Sequence, residues 1–235
     1  MLSFACISGQ TDAHVVDFEY QTLKAKLQPQ VIPSLKILAD AAKSQGFQLA
    51  IVSGFRDFQR QSAIWNAKAR GERPILDANE KPIAPGSLQG WPLVQAILRW
   101  SALPGASRHH WGTDFDVIDS AALKPGYKIQ LTQQEASPNG IFGDFHVWLS
   151  EWLHNNAELG FCRPYFSTSS NKNINANFGV SPEPWHLSYQ PIAAQIERLY
   201  NLSDLQALVQ SSNLALGDVV LAHLQEIFDR FVVPR

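Results

Sequence analysis

The amino-acid sequence predicts an α+β domain with a helical C-terminal extension. Up to about residue 190, segments with apolar residues at helical spacing alternate with short segments that contain β-branched and aromatic residues. Beyond that point only helical patterns follow. Because no internal repeat and no convincing linker divides the chain, we expect a single domain over residues 1–235, with a motif-bearing core at about 31–200 and the extension at 201–235.

The first helix and the first strand of the core follow each other directly. Apolar side chains recur at helical spacing over 33–45, Pro33 suits the first helical turn, and Gly46 suits the position just past the helix end. Residues 47–53 then alternate in part between apolar and polar side chains and include branched residues, which predicts a strand.

A second helix is predicted after a short turn at residues 53–56. Asp57 can cap this helix, which continues to about Arg70. Gln61 lies in its apolar stripe, so this glutamine is either a hydrogen-bonded core residue or a site residue. Residues 71–92 contain four prolines and three glycines and are long enough to form an active-site flap.

The remaining elements are assigned from the same periodicities and from turn residues. The sequence leaves open whether the C-terminal helices pack on the core or mediate dimers, and it does not fix the oligomeric state. In chain order, the predicted elements are a short helix over 93–100, a strand over 114–119, a helix over 145–159 that ends at Gly160, a polar loop over 169–184, an extended segment over 185–189, and helices over 192–200, 203–210 and 216–231.

Composition and charge are those of an ordinary globular enzyme. Hydrophobic residues make up 45% of the chain, charged residues 17%, and the formal net charge is −2. A nucleic-acid partner is not expected, because such proteins usually carry a basic surplus. Cys6 and Cys162 fit no metal-binding pattern, and we expect two free thiols rather than a disulfide.

The N-terminal segment predicts a location for the protein. The first ten residues contain no lysine or arginine and only a short apolar run, so they do not resemble a secretory signal. No stretch approaches the roughly 18 apolar residues of a membrane helix. We therefore expect a cytoplasmic protein without a membrane span, or a periplasmic protein if a leader has been removed.

Two short motifs, residues 107–116 and 183–186, concentrate the chemistry of the chain. The first contains His109 and Asp116, which Gly112 allows to converge because glycine permits a tight turn between them. The second motif adds a histidine and a glutamate. Two imidazoles and one carboxylate are typical ligands of a zinc hydrolase, whose fourth position is left for water.

Each motif leaves a choice of residues open. His110 competes with His109, because adjacent side chains cannot easily both reach the same ion. Asp114 shares a strand face with Asp116, and only one of the two need be a ligand. Taken separately, the motifs are also compatible with a surface His–Asp pair and with a half-buried histidine beside a core tryptophan.

Glu183 and Arg56 are candidates for the chemical steps. Pro184 favours an extended conformation of Glu183, so one rigid segment would hold both Glu183 and His186. A glutamate that lies near a metal without binding it can take a proton from water and pass it to a leaving amine. Arg56 lies between a predicted strand and a helix, where it could bind a carboxylate, stabilise an oxyanion or simply face solvent.

These motifs resemble those of the VanY-type D-alanyl-D-alanine carboxypeptidases, zinc peptidases related to the VanX dipeptidases and to lysostaphin- and hedgehog-type folds. The resemblance covers residues 48–189 and depends on three motifs that occur in the same order as in the family. The motifs are Ser53-Gly-Phe-Arg56 with Gln61, Ser107-x-His109-x-x-Gly112-x-x-x-Asp116, and Glu183-Pro-Trp-His186.

The resemblance implies a role for each matching residue around one zinc ion. Glu183 is implied as the catalytic base, Arg56 as the group that stabilises the oxyanion, and Ser107 as a contact of the terminal D-alanine carboxylate. The implied metal ligands are His109, Asp116 and His186, and the implied substrate contacts are Ser107, Gln61 and Trp185.

The resemblance also implies a fold and an activity. The fold is a small antiparallel sheet flanked by helices, with zinc on the open face of the sheet. The activity is hydrolysis of the terminal D-Ala-D-Ala bond of a peptidoglycan-type peptide. A D,D-dipeptidase, an L,D-carboxypeptidase, a peptidoglycan endopeptidase and a non-catalytic, zinc-stabilised wall-binding module stay open as alternatives. His110-Trp111 and Asp114 depart from the family pattern, and we expect them to shape the pocket or support a ligand histidine.

Overall fold

The computed structural model describes residues 2–166 and 179–233, so most of the polar loop predicted over 169–184 lies outside the described residues. The described strands are β1 (Val16–Tyr20), β2 (Leu23–Leu27), β3 (Leu49–Ser53), β4 (Asp114–Asp119), β5 (Phe161–Cys162) and β6 (His186–Tyr189). β1 and β2 form a hairpin, whereas the other four form an antiparallel sheet in the order β3-β4-β6-β5. The predicted α+β class with a small antiparallel sheet is confirmed.

The helices flank this sheet and continue to the end of the described chain. They are α1 (Phe4–Ile7), α2 (Ile32–Ser44), α3 (Phe58–Ala69), α4 (Gly90–Leu98), α5 (Gln133–Ala136), α6 (Gly143–Asn155), α7 (Gln190–Leu199), α8 (Leu202–Ser211), α9 (Gly217–Ala222) and α10 (Leu224–Ile227). Short 3-10 turns lie at Pro29–Val31, Arg108–Trp111, Ser120–Ala122 and Ala157–Leu159, and a π-helical turn lies at Phe228–Val232.

The predicted elements differ from the observed ones mainly at their ends. Asp57 caps α3 as predicted, because its side chain accepts a hydrogen bond from the Arg60 N–H. α4 begins before the predicted start at residue 93, since Pro92 is tolerated in the first turn of a helix. The helix predicted over 216–231 is divided into α9, α10 and the π-helical turn, because His223 leaves helical geometry with φ −116° and ψ 16°.

Two hydrophobic clusters hold these elements together. The first packs α2 and α6 against one face of the four-stranded sheet, and the second joins α3 and α4 to the C-terminal helices. Fully buried members of the first cluster include Leu35, Leu38, Phe115, Val117 and Leu149, and those of the second include Trp65, Ile97, Trp111, Ile196 and Ile227.

The C-terminal helices pack on the core, which answers the question that the sequence leaves open. The indole N–H of Trp65 donates to the carbonyl oxygen of Ala215 at 2.9 Å. The N–H of Ala215 in turn donates to the side chain of Asn66 at 2.8 Å. These bonds, together with the shared second cluster, fix the helical extension to α3.

Both cysteines are free thiols, as the sequence predicts. Among the described residues, none of the helices has both the length and the apolar character that a membrane crossing requires.

Candidate metal centre

One face of the four-stranded sheet carries the polar residues of both motifs. Asp116 on β4 pairs directly with His186 on β6, and Asp114 pairs with Ser188. Phe115, between Asp114 and Asp116 on β4, points to the opposite face and belongs to the first hydrophobic cluster. Because alternate residues of a strand point to opposite faces, Asp114 and Asp116 share a face, as the strand periodicity predicts.

His109 reaches this face from the 3-10 turn that precedes β4. Gly112 ends the turn at φ 70°, in the left-handed region. A side chain at this position would also collide with Val15 of the N-terminal segment. Glycine is therefore required for the chain to pass from His109 into β4.

His109, Asp116 and His186 form a buried group whose ligand atoms all lie within 4.8 Å of one another. Nε2 of His109 is 3.4 Å from Oδ2 of Asp116. Nδ1 of His186 is 3.0 Å from Oδ1 of Asp116. Two imidazole nitrogens and one carboxylate oxygen can hold a divalent transition metal and leave coordination positions open. The structure thus brings the three predicted ligands together.

Each of these histidines has one ring nitrogen hydrogen-bonded to an acceptor outside the metal group. Nδ1–H of His109 donates to the carbonyl oxygen of Gly54 at 3.1 Å. Nε2–H of His186 donates to Oδ1 of Asp114 at 3.2 Å. Because both partners are acceptors, the remaining nitrogens, Nε2 of His109 and Nδ1 of His186, are those available to an ion beside Asp116.

The buried charges of the group favour a cation. Burial lowers the pKa of His109 to about 3, so its imidazole is neutral and able to bind a metal. Burial opposes a charge on His186 too, but hydrogen bonds to Asp114 and Asp116 raise its pKa to about 10. The two carboxylates therefore stabilise positive charge here, and a bound metal ion would supply it in place of the Nδ1 proton.

Asp114 supports His186 from behind and is not a member of the metal group. Its Oδ2 accepts a hydrogen bond from the Thr113 hydroxyl at 2.6 Å, and its Oδ1 accepts one from Arg108 Nε at 2.7 Å. Burial opposes ionisation of Asp114, but Arg108 and His186 hold its pKa well below the usual range. This departure from the family pattern therefore orients a histidine of the metal group.

Arg108 connects the metal centre to the C-terminal helices. Besides Asp114, its guanidinium donates to the Ser188 hydroxyl at 2.8 Å and to the carboxylate of Glu197 on α7. It also lies over the ring of Trp111, 4.5 Å from the centroid. Sequence reasoning missed this residue, because two of its partners lie far away along the chain and no local pattern marks it.

His110, the competitor of His109, is held by backbone groups. Its Nδ1–H donates to the carbonyl oxygen of Arg56 at 2.5 Å, and its Nε2 accepts a hydrogen bond from the Gly105 N–H at 3.1 Å. The side chain is fully buried. With both ring nitrogens used in this way, His110 is not available to the metal group.

The loop that carries Arg56 is tied to the His109 turn. The backbone N–H of Arg56 donates to the His109 carbonyl oxygen at 3.1 Å. Its guanidinium donates to Gln61 Oε1 at 2.7 Å and to the Ser53 hydroxyl at 2.8 Å. Gln61 is fully buried, and its amide donates to Ala102 O at 2.6 Å. Gln61 is therefore a hydrogen-bonded core residue that positions Arg56, and the substrate contact implied for it stays a prediction.

Glu183 lies beside the metal group and outside it. Its motif forms a turn with Pro184 in the second position, closed by a hydrogen bond from the His186 N–H to the Glu183 carbonyl oxygen at 3.2 Å. Oε2 of Glu183 is 3.6 Å from Nδ1 of His186. Burial, with a contribution from Asp116, raises the pKa of Glu183, and His186 and Arg56 oppose the rise, so that the pKa is about 7. Such a carboxyl group can accept and donate a proton near neutral pH.

A cavity adjoins the metal group and contains the other implied residues. Ser107 and Trp185 line it, although both are nearly buried. The predicted flap contributes Leu76 and Glu80 to its wall. Other lining residues, which the sequence motifs do not single out, include Lys68, Arg73, Trp100, Tyr165 and Phe231.

A small antiparallel sheet that presents a His–Asp–His group, with a glutamate and an arginine in the adjoining cavity, defines the site of a metal-dependent hydrolase. The family model described as VanY: D-alanyl-D-alanine carboxypeptidase matches residues 24–192. The chain belongs to this peptidase family. The match includes both metal-site motifs and the Arg56 loop.

Relatives of the chain include proteins with and without a described activity. An uncharacterized protein of Haemophilus influenzae is 32% identical over 131 residues, which cover 56% of this chain and 93% of that protein. The putative carboxypeptidase YodJ of Bacillus subtilis is 27% identical over 175 residues, 73% of this chain and 49% of that protein. A D-alanyl-D-alanine carboxypeptidase of Enterococcus faecalis is 25% identical over 182 residues, 76% of this chain and 54% of that protein. The chain thus spans about half the length of the last two relatives.

Solved structures with some similarity to the chain include two VanY proteins. VanYB in complex with D-alanine-D-alanine has 23% identity and a TM-score of 0.48, covering 78% of this chain and 81% of that one. The vancomycin resistance D,D-pentapeptidase VanY in complex with Zn(II) has 22% identity and a TM-score of 0.49, covering 89% and 92%.

Proposed function

We propose that the chain is a zinc-dependent D,D-carboxypeptidase that hydrolyses the terminal D-Ala-D-Ala bond of peptidoglycan-type peptides. The observation that carries the proposal is the group of His109, Asp116 and His186 within 4.8 Å, with the Glu183 carboxylate beside it. Membership of the VanY family and the name of the Enterococcus faecalis relative support the substrate class.

The donor set fits one zinc ion. Two imidazole nitrogens and one carboxylate oxygen match catalytic zinc sites with three protein ligands, which keep a further position open. His109 would offer Nε2, His186 would offer Nδ1 and Asp116 a carboxylate oxygen, since Gly54 and Asp114 hold the other histidine nitrogens. When bound, zinc supplies a Lewis acid for the scissile carbonyl and lowers the pKa of water toward about 7.

Glu183 is positioned to move the proton in both halves of the reaction. Its carboxylate takes a proton from the attacking water as the water oxygen bonds to the scissile carbonyl carbon. The protonated carboxyl group then gives this proton to the departing nitrogen as the C–N bond breaks, which regenerates the carboxylate. A pKa that burial raises to about 7 suits both transfers.

Arg56 is placed to stabilise the negative charge that develops on the carbonyl oxygen. Its guanidinium lines the same cavity as Glu183, and two neighbouring side chains hold it in a fixed orientation. A guanidinium oriented beforehand needs no reorganisation when the oxyanion forms. Ser107 and Trp185 line this cavity as well, and they are the proposed substrate contacts.

The proposal is tested by mass spectrometry of the products from a panel of synthetic peptides. A peptide that ends in D-Ala-D-Ala is expected to lose one D-alanine, a chelator is expected to stop the reaction, and added zinc is expected to restore it. Loss of D-alanine only after an L-residue would indicate an L,D-carboxypeptidase, cleavage of the free dipeptide alone a dipeptidase, and internal cleavage an endopeptidase. No product from any peptide, with zinc bound, would contradict the hydrolase.

Replacement of the two adjacent histidines is expected to affect zinc content differently. His109→Ala removes a ligand and is expected to lose zinc. His110→Ala removes a residue that is hydrogen-bonded to the backbone, so it is expected to keep zinc and to lose about 1–3 kcal/mol of the free energy of unfolding. Elemental analysis and denaturant unfolding measure the two effects. Zinc retained in His109→Ala and lost in His110→Ala would show that the ligand assignment is wrong.

A further inference from the structure

Lys68 presents an ammonium group to the cavity beside the metal group, and the proposed reaction does not use it. Its side chain lines this cavity together with Arg56 and Glu183. It lies two helical turns after Gln61 on α3, so the two residues share one face of the helix. Since Gln61 holds Arg56, this face of α3 brings two cations to one cavity.

The ammonium group has a neutral partner in the described structure. Nζ of Lys68 donates to the Ser101 hydroxyl at 2.7 Å. Within residues 2–166 and 179–233 it forms no ion pair, and residues 167–178 contain no aspartate or glutamate. A half-buried cation without a counter-ion within ion-pair distance is costly, and an anionic ligand would reduce that cost.

The charges around Lys68 also favour an anion at this position. Burial, Arg73 and Arg56 lower the pKa of Lys68, and Glu183 opposes them, so that the pKa is about 8. The ammonium group is therefore still mostly protonated at neutral pH, and a neighbouring carboxylate would stabilise it. A divalent ion at the metal group would add further positive charge to the cavity.

We infer that Lys68 binds a carboxylate of the peptide substrate through its Nζ, an inference that rests on the proposed peptidase function. A carboxypeptidase has to distinguish a free terminal carboxylate from a continuing peptide, and a half-buried ammonium group in the cavity beside the metal group supplies this distinction. The side chain of an internal acidic residue has the same chemistry. Peptides in which the terminal carboxylate or the internal carboxylate is replaced by an amide show which of the two carboxylates Lys68 binds.

The test uses Lys68→Met, which removes the charge and keeps most of the side-chain length. kcat/KM is measured for peptides that end in D-Ala-D-Ala as the free acid or as the amide, each with an internal glutamate or glutamine. If the ligand is the terminal carboxylate, kcat/KM is expected to fall about 100-fold on the free acids and by less than about threefold on the amides. If the ligand is an internal carboxylate, kcat/KM is expected to fall on the peptides with an internal glutamate and to change little on those with glutamine.

Two control variants separate charge from structure. Lys43→Met removes an exposed lysine of α2 and is expected to change none of the four values. Lys68→Arg keeps the charge and is expected to retain the preference. If Lys68→Met lost kcat/KM equally on all four peptides, or lost none, the inference would be overturned. If the unmodified protein were inactive on all four peptides, this result would count against the proposed function. In that case, calorimetric binding of the same peptides to the zinc-loaded proteins makes the same comparison without turnover.

Discussion

Glu183→Gln is expected to retain zinc and to lose about 10³- to 10⁴-fold in kcat on a D-Ala-D-Ala peptide. Glutamine keeps the size of the side chain but can neither accept the proton of the attacking water nor return it to the departing nitrogen. Zinc is retained because Glu183 lies outside the group of His109, Asp116 and His186. A fall in kcat of this size without loss of zinc would identify Glu183 as the residue that transfers the proton.

Zinc content and turnover are to be measured on the same preparation of each protein. Glu80→Gln is a matched control, because Glu80 lines the same cavity but its carboxylate accepts a hydrogen bond from the Gln133 N–H at 2.6 Å. This variant is expected to lose far less activity than Glu183→Gln. Turnover of Glu183→Gln close to that of the unmodified protein would exclude Glu183 as the base.

The local half of the metal centre could be predicted from the sequence because its geometry depends on neighbouring residues. Gly112 allows the turn that brings His109 toward Asp116, and the period of a strand places Asp114 and Asp116 on one face. The contact between Asp116 and His186 spans 70 residues of the chain. No periodicity predicts such a pairing, so only the order of the family motifs pointed to it.

The parts that could not be predicted depend on contacts between distant segments. The β1–β2 hairpin turns through Gln21, whose φ of 53° is usually adopted by glycine or asparagine, so no turn signal marks it. The residues that flank this hairpin still support the metal centre, because Val15 lies against Gly112 and the Gln28 N–H donates to the Gly112 carbonyl oxygen at 2.9 Å. Lys68 was likewise not singled out, since its position in the cavity depends on how α3 packs.

Arg108→Met is expected to lower the free energy of unfolding by about 3–5 kcal/mol in the presence of a chelator. The side chain of Arg108 is 7% exposed and that of Asp114 is 0% exposed, so the substitution removes one of the two cations beside a buried carboxylate and leaves only His186. Glu197 loses its partner at the same time. Methionine fills much of the same volume, and the chelator removes the contribution of metal binding to stability. The measured loss of unfolding free energy therefore reports on the interaction of Arg108 with the buried Asp114 carboxylate and with Glu197.

Arg230→Met is the matched control, because Arg230 pairs with Glu226 at 2.5 Å while the two side chains are 44% and 40% exposed. Breaking this exposed pair is expected to cost less than about 1 kcal/mol. Zinc affinity is a second measurement that distinguishes the two variants. Arg108 holds Asp114, which orients His186, so zinc binding is expected to weaken about 10- to 100-fold in Arg108→Met and to stay unchanged in Arg230→Met. Equal stability losses and unchanged zinc affinity would mean that the backbone of β6 orients His186 and that the buried ion pair contributes no more than an exposed one.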